Sequence, residues 1–285
     1  MTSIEIGGTH VEYCEQGSGE PVLLLHSSGS SSAQWRALIE RLSARFRVVA
    51  PDLYGYGGTA LWPGRGPFHL AHEAEIACAL LGRIGEPAHV VGHSYGGAAA
   101  LHLARLRSDL LRSLAVIEPV AFHLLRGGDG TDALALGEIS EVAATVARSL
   151  ASGDYLGGYG RFVDYWGGAS AWAGVPAAKR DALAARLVKV TLDFHATLNE
   201  PARPDDFRML ALPTLIVQGR RSPLPTRRIC ELLARALPEV RMKTIDGAGH
   251  MAPMTHRNEV NDLVVAHLEA NRAARRSSGA MLQVA

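Results

Sequence analysis

The pentapeptide Gly92-His93-Ser94-Tyr95-Gly96 places one hydroxyl between an apolar run, Ala88–Val91, and a run of small residues, Gly97–Leu103. The pattern predicts strand, sharp turn and helix, with Ser94 at the turn. A serine hydroxyl is a weak nucleophile. Its chemistry requires that it be held clear of the sheet, close to a base, with backbone donors nearby for an oxyanion. Gly92 and Gly96 leave room around such a turn, and the helix that follows directs its positive N-terminal end at Ser94. The same spacing arises by chance in ordinary loops, so its weight comes from the strand before it and the helix after it.

In an open parallel sheet the site lies at the carboxyl ends of the strands, which selects the loops after Leu25, Ala50, Val91, Ile117, Val217 and Ile245. After Leu25 comes His26-Ser27-Ser28-Gly29-Ser30. This small-residue loop can bring the backbone N–H of Ser28 toward a reacting carbonyl, with the N–H of Tyr95 as its companion donor. After Ile245 comes Asp246-Gly247-Ala248-Gly249-His250-Met251-Ala252-Pro253, where two glycines let the loop curl and carry His250 back over the sheet. His250 is therefore the candidate base. The chain has 12 histidines, and position separates them. His102 lies on the helix behind the nucleophile, His256 opens the last helix, His69 and His72 flank a helix start, and His26 is placed to support the oxyanion loop.

The elements that must position these residues follow from the hydrophobic pattern. Strand signals at Ile4–Ile6, Val11–Tyr13, Val22–Leu25 and Arg47–Ala50 alternate with helices near Trp35–Ser43 and Leu70–Ile84. Then come Ala88–Val91, its helix, and the strand Leu114–Ile117. Continuous apolar strands separated by helices predict an α/β fold with a parallel sheet covered on both faces. From about Val120 to Arg208 the strand signal gives way to helical stretches, Ala133–Leu150 and Ala177–Leu198, joined by Gly- and aromatic-rich connections. An inserted helical cap over 120–208 is expected, between core segments 1–119 and 209–270. The strand rhythm resumes at Thr214–Val217 and continues through a helix near Thr226–Leu237, the strand Val240–Ile245 and a helix near Asn258–Ala270. Residues 271–285 offer no apolar period and are expected to form a frayed tail.

Composition bounds the function classes. With 285 residues, 47% hydrophobic content and a net charge of +1, the chain can bury a large core. Charges of both signs are interspersed, leaving no basic face for nucleic acid. Cys14, Cys78 and Cys230 are scattered and odd in number, so reduced thiols are expected, with Cys78 in the core, and no metal-ligand spacing is present. The opening Met1-Thr2-Ser3-Ile4-Glu5 has no charged segment followed by an apolar run, and no apolar stretch reaches membrane-spanning length. A cytoplasmic protein without membrane contact is expected. A homodimer stays open.

His26-Ser27-Ser28-Gly29, Asp52-Leu53-Tyr54-Gly55-Tyr56-Gly57, Gly92-His93-Ser94-Tyr95-Gly96-Gly97 and Gly247-Ala248-Gly249-His250 together resemble the motifs of the α/β-hydrolase family, in that family's order and over nearly the whole chain. The resemblance implies an eight-stranded, mostly parallel sheet with a helical cap inserted after the sixth strand, and a catalytic order of serine, acid, histidine. It also implies that Asp52 is a structural loop residue.

One position departs from the family pattern. The triad acid is usually an aspartate shortly after the seventh strand, in a loop that here reads Gly219-Arg220-Arg221-Ser222-Pro223-Leu224-Pro225. Ser222 stands at the expected place, and a hydroxyl supplies no negative charge to stabilise an imidazolium. Glu118 directly follows Leu114–Ile117, beside the nucleophile strand, and its longer side chain can cover the extra distance to His250. Some haloalkane dehalogenases of the same superfamily look similar in placing a glutamate there. The competing role for Glu118 is a helix cap or an ion pair at the cap hinge. Other acids fare worse: Asp246 would have to fold back on its own loop, Asp193, Asp205 and Asp206 belong to the cap or its exit, and Glu73 and Glu75 to an early helix.

Under this reading Ser94 attacks an acyl carbonyl, His250 shuttles the proton, Glu118 orients His250, and the Ser28 and Tyr95 amides hold the oxyanion. No cofactor or metal is called for. The implied substrate is a small acyl compound: an ester, lactone or thioester. Cleavage of an activated carbon–carbon bond and perhydrolysis are alternatives on the same groups. A serine nucleophile argues against dehalogenase or epoxide hydrolase chemistry, which proceeds through an aspartate ester. Phe122, His123, Tyr159, Phe162, Tyr165, Trp166, Trp172 and Phe194 concentrate aromatic surface in the cap and are the candidate pocket lining. Arg220 and Arg221 are read as a solvated pair, with a substrate carboxylate as the alternative. A different class also stands: the same fold without a working acid would be a small-molecule receptor.

Overall fold

A computed structural model describes residues 2–128 and 130–273. Its eight strands form one sheet in the order β1-β2-β4-β3-β5-β6-β7-β8. β1 (Thr2–Ile6) and β2 (Thr9–Gln16) form an antiparallel hairpin across Gly7-Gly8, and β2 pairs antiparallel with β4. All later pairings are parallel. After β3 (Glu20–Leu25) the chain passes through α1 (Arg36–Leu42) to β4 (Phe46–Pro51), then through α2 (Leu70–Ile84) to β5 (Ala88–His93). α3 (Tyr95–Leu106) leads into β6 (Leu111–Ile117).

The apolar runs are continuous because both sheet faces are buried. Leu23, Leu25, Val90, Leu114 and Val116 face one core. Their alternates, Val22, Leu24, Val91, Ala115 and Ile117, face the other. That period of two, covered on both sides, is the signature of a parallel sheet between helical layers.

Among the described residues four α-helices stand between β6 and β7: α4 (Gly130–Ala151), α5 (Tyr155–Gly167), α6 (Ala177–Ala184) and α7 (Leu187–Asn199). Two details differ from the sequence reading. The stretch 177–198 is two helices, broken near Ala185-Arg186, and the Gly- and aromatic-rich connection contains α5, a full helix. Glycine disfavours helix, which hides α5 from propensity. Gly158 has a packing reason, because a Cβ there would collide with Leu187 and Ser149 side chains. The core resumes with β7 (Thr214–Gly219), α8 (Leu224–Ala236) and β8 (Val240–Ile245), and ends with the short α9 (Ala252–Thr255) and α10 (Arg257–Ala270).

α2, α3 and α8 pack into the first core together with residues of the inserted helices such as Leu187 and Phe194. α1 and α10 cover the opposite face. Cys14, Cys78 and Cys230 are free thiols, but Cys78 is only half-buried, because it stands at the edge of the α2 face; Cys230 is the buried one. The start of the expected tail is not frayed: the N–H of Ala273 and the Arg272 guanidinium both bond the Glu20 carboxylate. The rest of the expected tail, 274–285, lies outside the described residues. No helix among the described residues is long and apolar enough to cross a membrane.

Candidate active site

The turn after β5 holds Ser94 at φ 54, ψ −116, a conformation a non-glycine residue adopts only when its surroundings impose it. Those surroundings are on both sides. The N–H of Ser94 donates to the Ile117 carbonyl at the end of β6, and its carbonyl accepts from Ala98 in α3. A Cβ on Gly92 would collide with the Gly96 carbonyl, and one on Gly96 with the carbonyls of Leu25 and His26. Both glycines are therefore required by close backbone approach. Tyr95 is the first residue of α3, so its N–H has no acceptor one turn earlier in that helix.

His250, on the loop between β8 and α9, places Nε2 2.9 Å from Ser94 Oγ. Its Nδ1 lies 3.3 Å from Glu118 Oε2. Serine, imidazole and carboxylate thus stand in one line, all three almost fully buried. Glu118 also has a left-handed backbone, φ 50, fixed by its N–H donating to Val217 at 2.9 Å. Its second oxygen, Oε1, accepts from the Gly219 N–H at 2.5 Å and from Ser222 Oγ at 2.7 Å. Ser222, at the position where an aspartate was expected, is a donor to the glutamate. The competing helix-cap role for Glu118 does not apply, since its carboxylate points at His250.

Two buried histidines frame the site without reacting. His26 Nδ1–H donates to the Ser27 carbonyl at 2.8 Å while Nε2 accepts from Leu53 N–H at 3.0 Å, fixing the loop that carries Ser28. His93 Nε2–H donates to the His250 carbonyl at 3.0 Å, and its Nδ1 accepts from Gln34 Nε2 at 3.2 Å. Gln34 Oε1 in turn accepts from the N–H and Oγ of Ser27. Burial holds His26 down to about 4 and His93 down to about 3, so both are neutral near pH 7. Asp52 accepts from the Ser32 and Gly58 amides, as a structural loop residue would.

The inserted helices close over Ser94 and leave two chambers that meet at it. The inner one, about 20 Å3, is lined by Ser28 and Tyr95, by Val120 and Phe122 from the segment just after β6, and by Phe162, Trp166, Val190, Asp193, Phe194 and Thr197 from the inserted helices. The outer one, about 300 Å3, is lined by the loop Ser27–Ser30, by His250, Met251 and Met254, and by Tyr159, Phe162, Val163 and Trp166. The Trp166 ring lies 4.0 Å from that of His250, shielding the imidazole. Of the aromatic residues expected to line a pocket, Phe122, Tyr159, Phe162, Trp166 and Phe194 do so. His123 does not; its Nδ1 is tied to the Thr197 carbonyl, which turns the ring away. Tyr165 does not either, because its hydroxyl reaches out to Glu138 at 2.7 Å. Trp172 packs on Tyr159. Arg220 is solvated and pairs with Asp246, which removes both from the site.

Sequence reasoning missed a charged cluster beneath the inner chamber. Asp193 Oδ2 accepts from Ser28 Oγ and from Tyr56 O–H, each at 2.5 Å. Its Oδ1 pairs with Lys189 Nζ, which also lies 3.0 Å from Glu73 Oε1. The ammonium sits against the rings of Tyr56, Phe68 and Tyr95, 4.4 to 4.8 Å from their centroids. Burial pushes both carboxyls above their usual range. Lys189 and Asp193 are four residues apart on α7, beside the buried stripe Leu187, Val190, Phe194 and Thr197. An i,i+4 charged pair beside an apolar stripe ordinarily marks the solvated edge of a helix, so the sequence carries no signal that places this pair inside.

Comparison with known proteins bears on the fold and the family. The model of the alpha/beta hydrolase family matches residues 22–263. A 2-hydroxy-6-oxo-6-(2'-aminophenyl)hexa-2,4-dienoic acid hydrolase from Metapseudomonas resinovorans is 34% identical over 122 residues, 40% of each chain. The matched part therefore spans well under half of that relative. A pimeloyl-[acyl-carrier protein] methyl ester esterase from Aeromonas hydrophila subsp. hydrophila is 27% identical over 87% of this chain and 95% of its own. In fold, the chain is similar to MGS-M2, an alpha/beta hydrolase enzyme from a Medee basin deep-sea metagenome library, with a TM-score of 0.76 at 17% identity over 96% of this chain and 100% of that one.

Proposed function

The chain belongs to the alpha/beta hydrolase family, and within that family we propose that it cleaves a carboxylic ester of a small, partly apolar substrate through an acyl-enzyme formed on Ser94. The observation that carries this reading is the continuous line from Ser94 Oγ through both nitrogens of His250 to Glu118, at 2.9 and 3.3 Å.

Each step uses a group already in place. Ser94 Oγ bonds to the acyl carbon as its proton passes to His250 Nε2, and the carbonyl electron pair moves onto oxygen, where the Ser28 and Tyr95 amides receive it. Glu118 accepts the Nδ1–H bond and stabilises the imidazolium. As the tetrahedral species collapses, the carbon–oxygen bond to the alcohol breaks and Nε2 delivers its proton to the departing oxygen. Water then attacks the acyl-enzyme with His250 again as base, releasing the acid and restoring Ser94. Lactones and thioesters fit the same sequence.

One observation favours an ester over a carbon–carbon substrate of the dienoic acid kind. Among the described residues no lysine or arginine lines either chamber, and Asp193 lines the inner one. A substrate carboxylate buried there would meet no cation. A receptor role is less well supported, since ligand binding alone does not require a strained serine within hydrogen-bond reach of an oriented imidazole.

The test is hydrolysis of p-nitrophenyl acetate and butyrate, with fluorophosphonate labelling, on wild type and Ser94→Ala. Turnover and labelling in wild type, both lost in the variant, are expected. A wild-type protein that neither turns over these esters nor takes the label overturns the reading.

A further inference from the structure

The two chambers differ in what each shares with the chemistry, and this difference orients the substrate. Both reach Ser94, Ser28, Phe162 and Trp166. Tyr95, one of the two residues whose amides the serine-hydrolase reading assigns to the oxyanion, lines only the inner chamber, and His250 lines only the outer one. In the collapse of a tetrahedral intermediate the proton must pass from His250 Nε2 to the departing oxygen, so the alcohol has to lie within hydrogen-bond reach of that nitrogen. The alcohol therefore extends into the outer chamber. The remaining substituent on the carbon is the acyl chain, and the space left for it is the inner chamber.

The chambers are unequal. The outer one, about 300 Å3, has flexible and apolar walls in Met251, Met254, Val163 and Tyr159. The inner one, about 20 Å3, is closed by Phe122, Trp166 and Phe194, whose stacked rings lie 6.1 to 6.3 Å apart, with Phe194 edge-on to Phe162. These rings belong to the buried core and are 1 to 9% exposed, so enlarging the chamber means repacking side chains that already fill their space. Below them Asp193 is held by Ser28, Tyr56 and Lys189 and closes the floor.

We infer that the substrate is an ester of a short acyl group, of acetyl to propionyl size, with a larger and partly apolar alcohol. The inference rests on the serine-hydrolase reading and assigns its two subsites. Ser94 Oγ bonds to the short acyl carbon, the bond to the bulky alkoxide breaks, and the proton taken from Ser94 leaves on that alkoxide in the outer chamber. This arrangement is the reverse of a methyl ester, whose alcohol is the smallest available.

The deciding experiment uses two isomeric esters on the wild-type protein: 3-phenylpropyl acetate, with the bulk on the alcohol, and methyl 4-phenylbutanoate, with the bulk on the acyl group. A preference of about tenfold or more in kcat/KM for the acetate is expected, the size of effect that a difference of a few buried methylenes produces. Phe194→Ala, which opens the inner chamber, should raise the butanoate rate relative to the acetate; Phe194→Leu gives the same direction if the alanine variant does not fold. Equal rates, or a preference for the butanoate, overturn the subsite assignment. So does failure to cleave either ester by a protein whose Ser94 still takes a fluorophosphonate. Absence of both cleavage and labelling overturns the serine-hydrolase reading itself, which separates the two failures.

Discussion

Ser222 Oγ donates a 2.7 Å hydrogen bond to Glu118 Oε1, while the other oxygen of the same carboxylate faces His250 Nδ1. The residue at the place of an expected aspartate thus serves the residue that replaces it. Because β6 and β7 are paired neighbours, their carboxyl ends deliver Glu118 and Ser222 to one point, and either position can supply a carboxylate to the same imidazole.

The first prediction follows from that geometry. Glu118→Gln should lower kcat by about 10^3 to 10^4, the loss seen when an imidazole is left with the wrong partner. Ser222→Ala removes one of two donors to Oε1 and should cost about fivefold, in keeping with roughly 1 kcal/mol for a hydrogen bond. The double change Glu118→Ala with Ser222→Asp moves the carboxylate across to β7 and should recover part of the loss in Glu118→Ala alone. Steady-state kinetics on p-nitrophenyl acetate measure all of these. Near wild-type turnover in Glu118→Gln would show that the acid lies elsewhere.

This site was legible in sequence to the extent that strand ends define it. Ser94 and Glu118 each directly follow a short apolar strand, while His250 stands on the loop after the polar edge strand β8, and sheet order brings those carboxyl ends to one side. The walls of the chambers were less legible. Trp166 and Tyr165 are adjacent in sequence, yet one lies tilted against the His250 ring and the other reaches Glu138, because side-chain direction on α5 decides and the glycines of α5 hid the helix. The charged cluster was not legible by composition, since Glu73, Lys189 and Asp193 look like solvated residues until α2 and α7 are packed together.

That cluster gives the second prediction. Lys189 is 1% exposed and is the ammonium between two buried carboxyls, so Lys189→Met leaves both without it. Breaking a buried pair from one side costs about 3 to 5 kcal/mol. Urea unfolding should show a loss of that order, partly recovered when Asp193→Asn is added. Because Asp193 holds Ser28 Oγ, the single variant should also lose turnover. Unchanged stability in Lys189→Met would mean that the cluster contributes nothing to holding α7 on the core.

The third prediction concerns acid. His93 donates to His250 and accepts from Gln34, and the Gln34 carbonyl oxygen is already occupied by Ser27, so a second proton on His93 would face an N–H donor. Its pKa falls from about 6.5 in the unfolded chain to about 3 in the fold. Between those values the unfolded chain binds the proton and the native protein does not, so stability rises with pH. The contribution is complete above pH 6.5 and is lost as pH falls toward 3. His26 acts in the same direction between 6.5 and about 4. Asp193 and Glu73, raised by burial, act in the opposite direction, losing stability as pH rises through their titration. At pH 5 the deficit from His93 alone is on the order of 2 kcal/mol. His93→Gln keeps one donor and one acceptor without titrating. Urea midpoints at pH 7.5 and pH 5 should therefore fall further in wild type than in His93→Gln. An equal fall in both would show that His93 takes no part in acid unfolding.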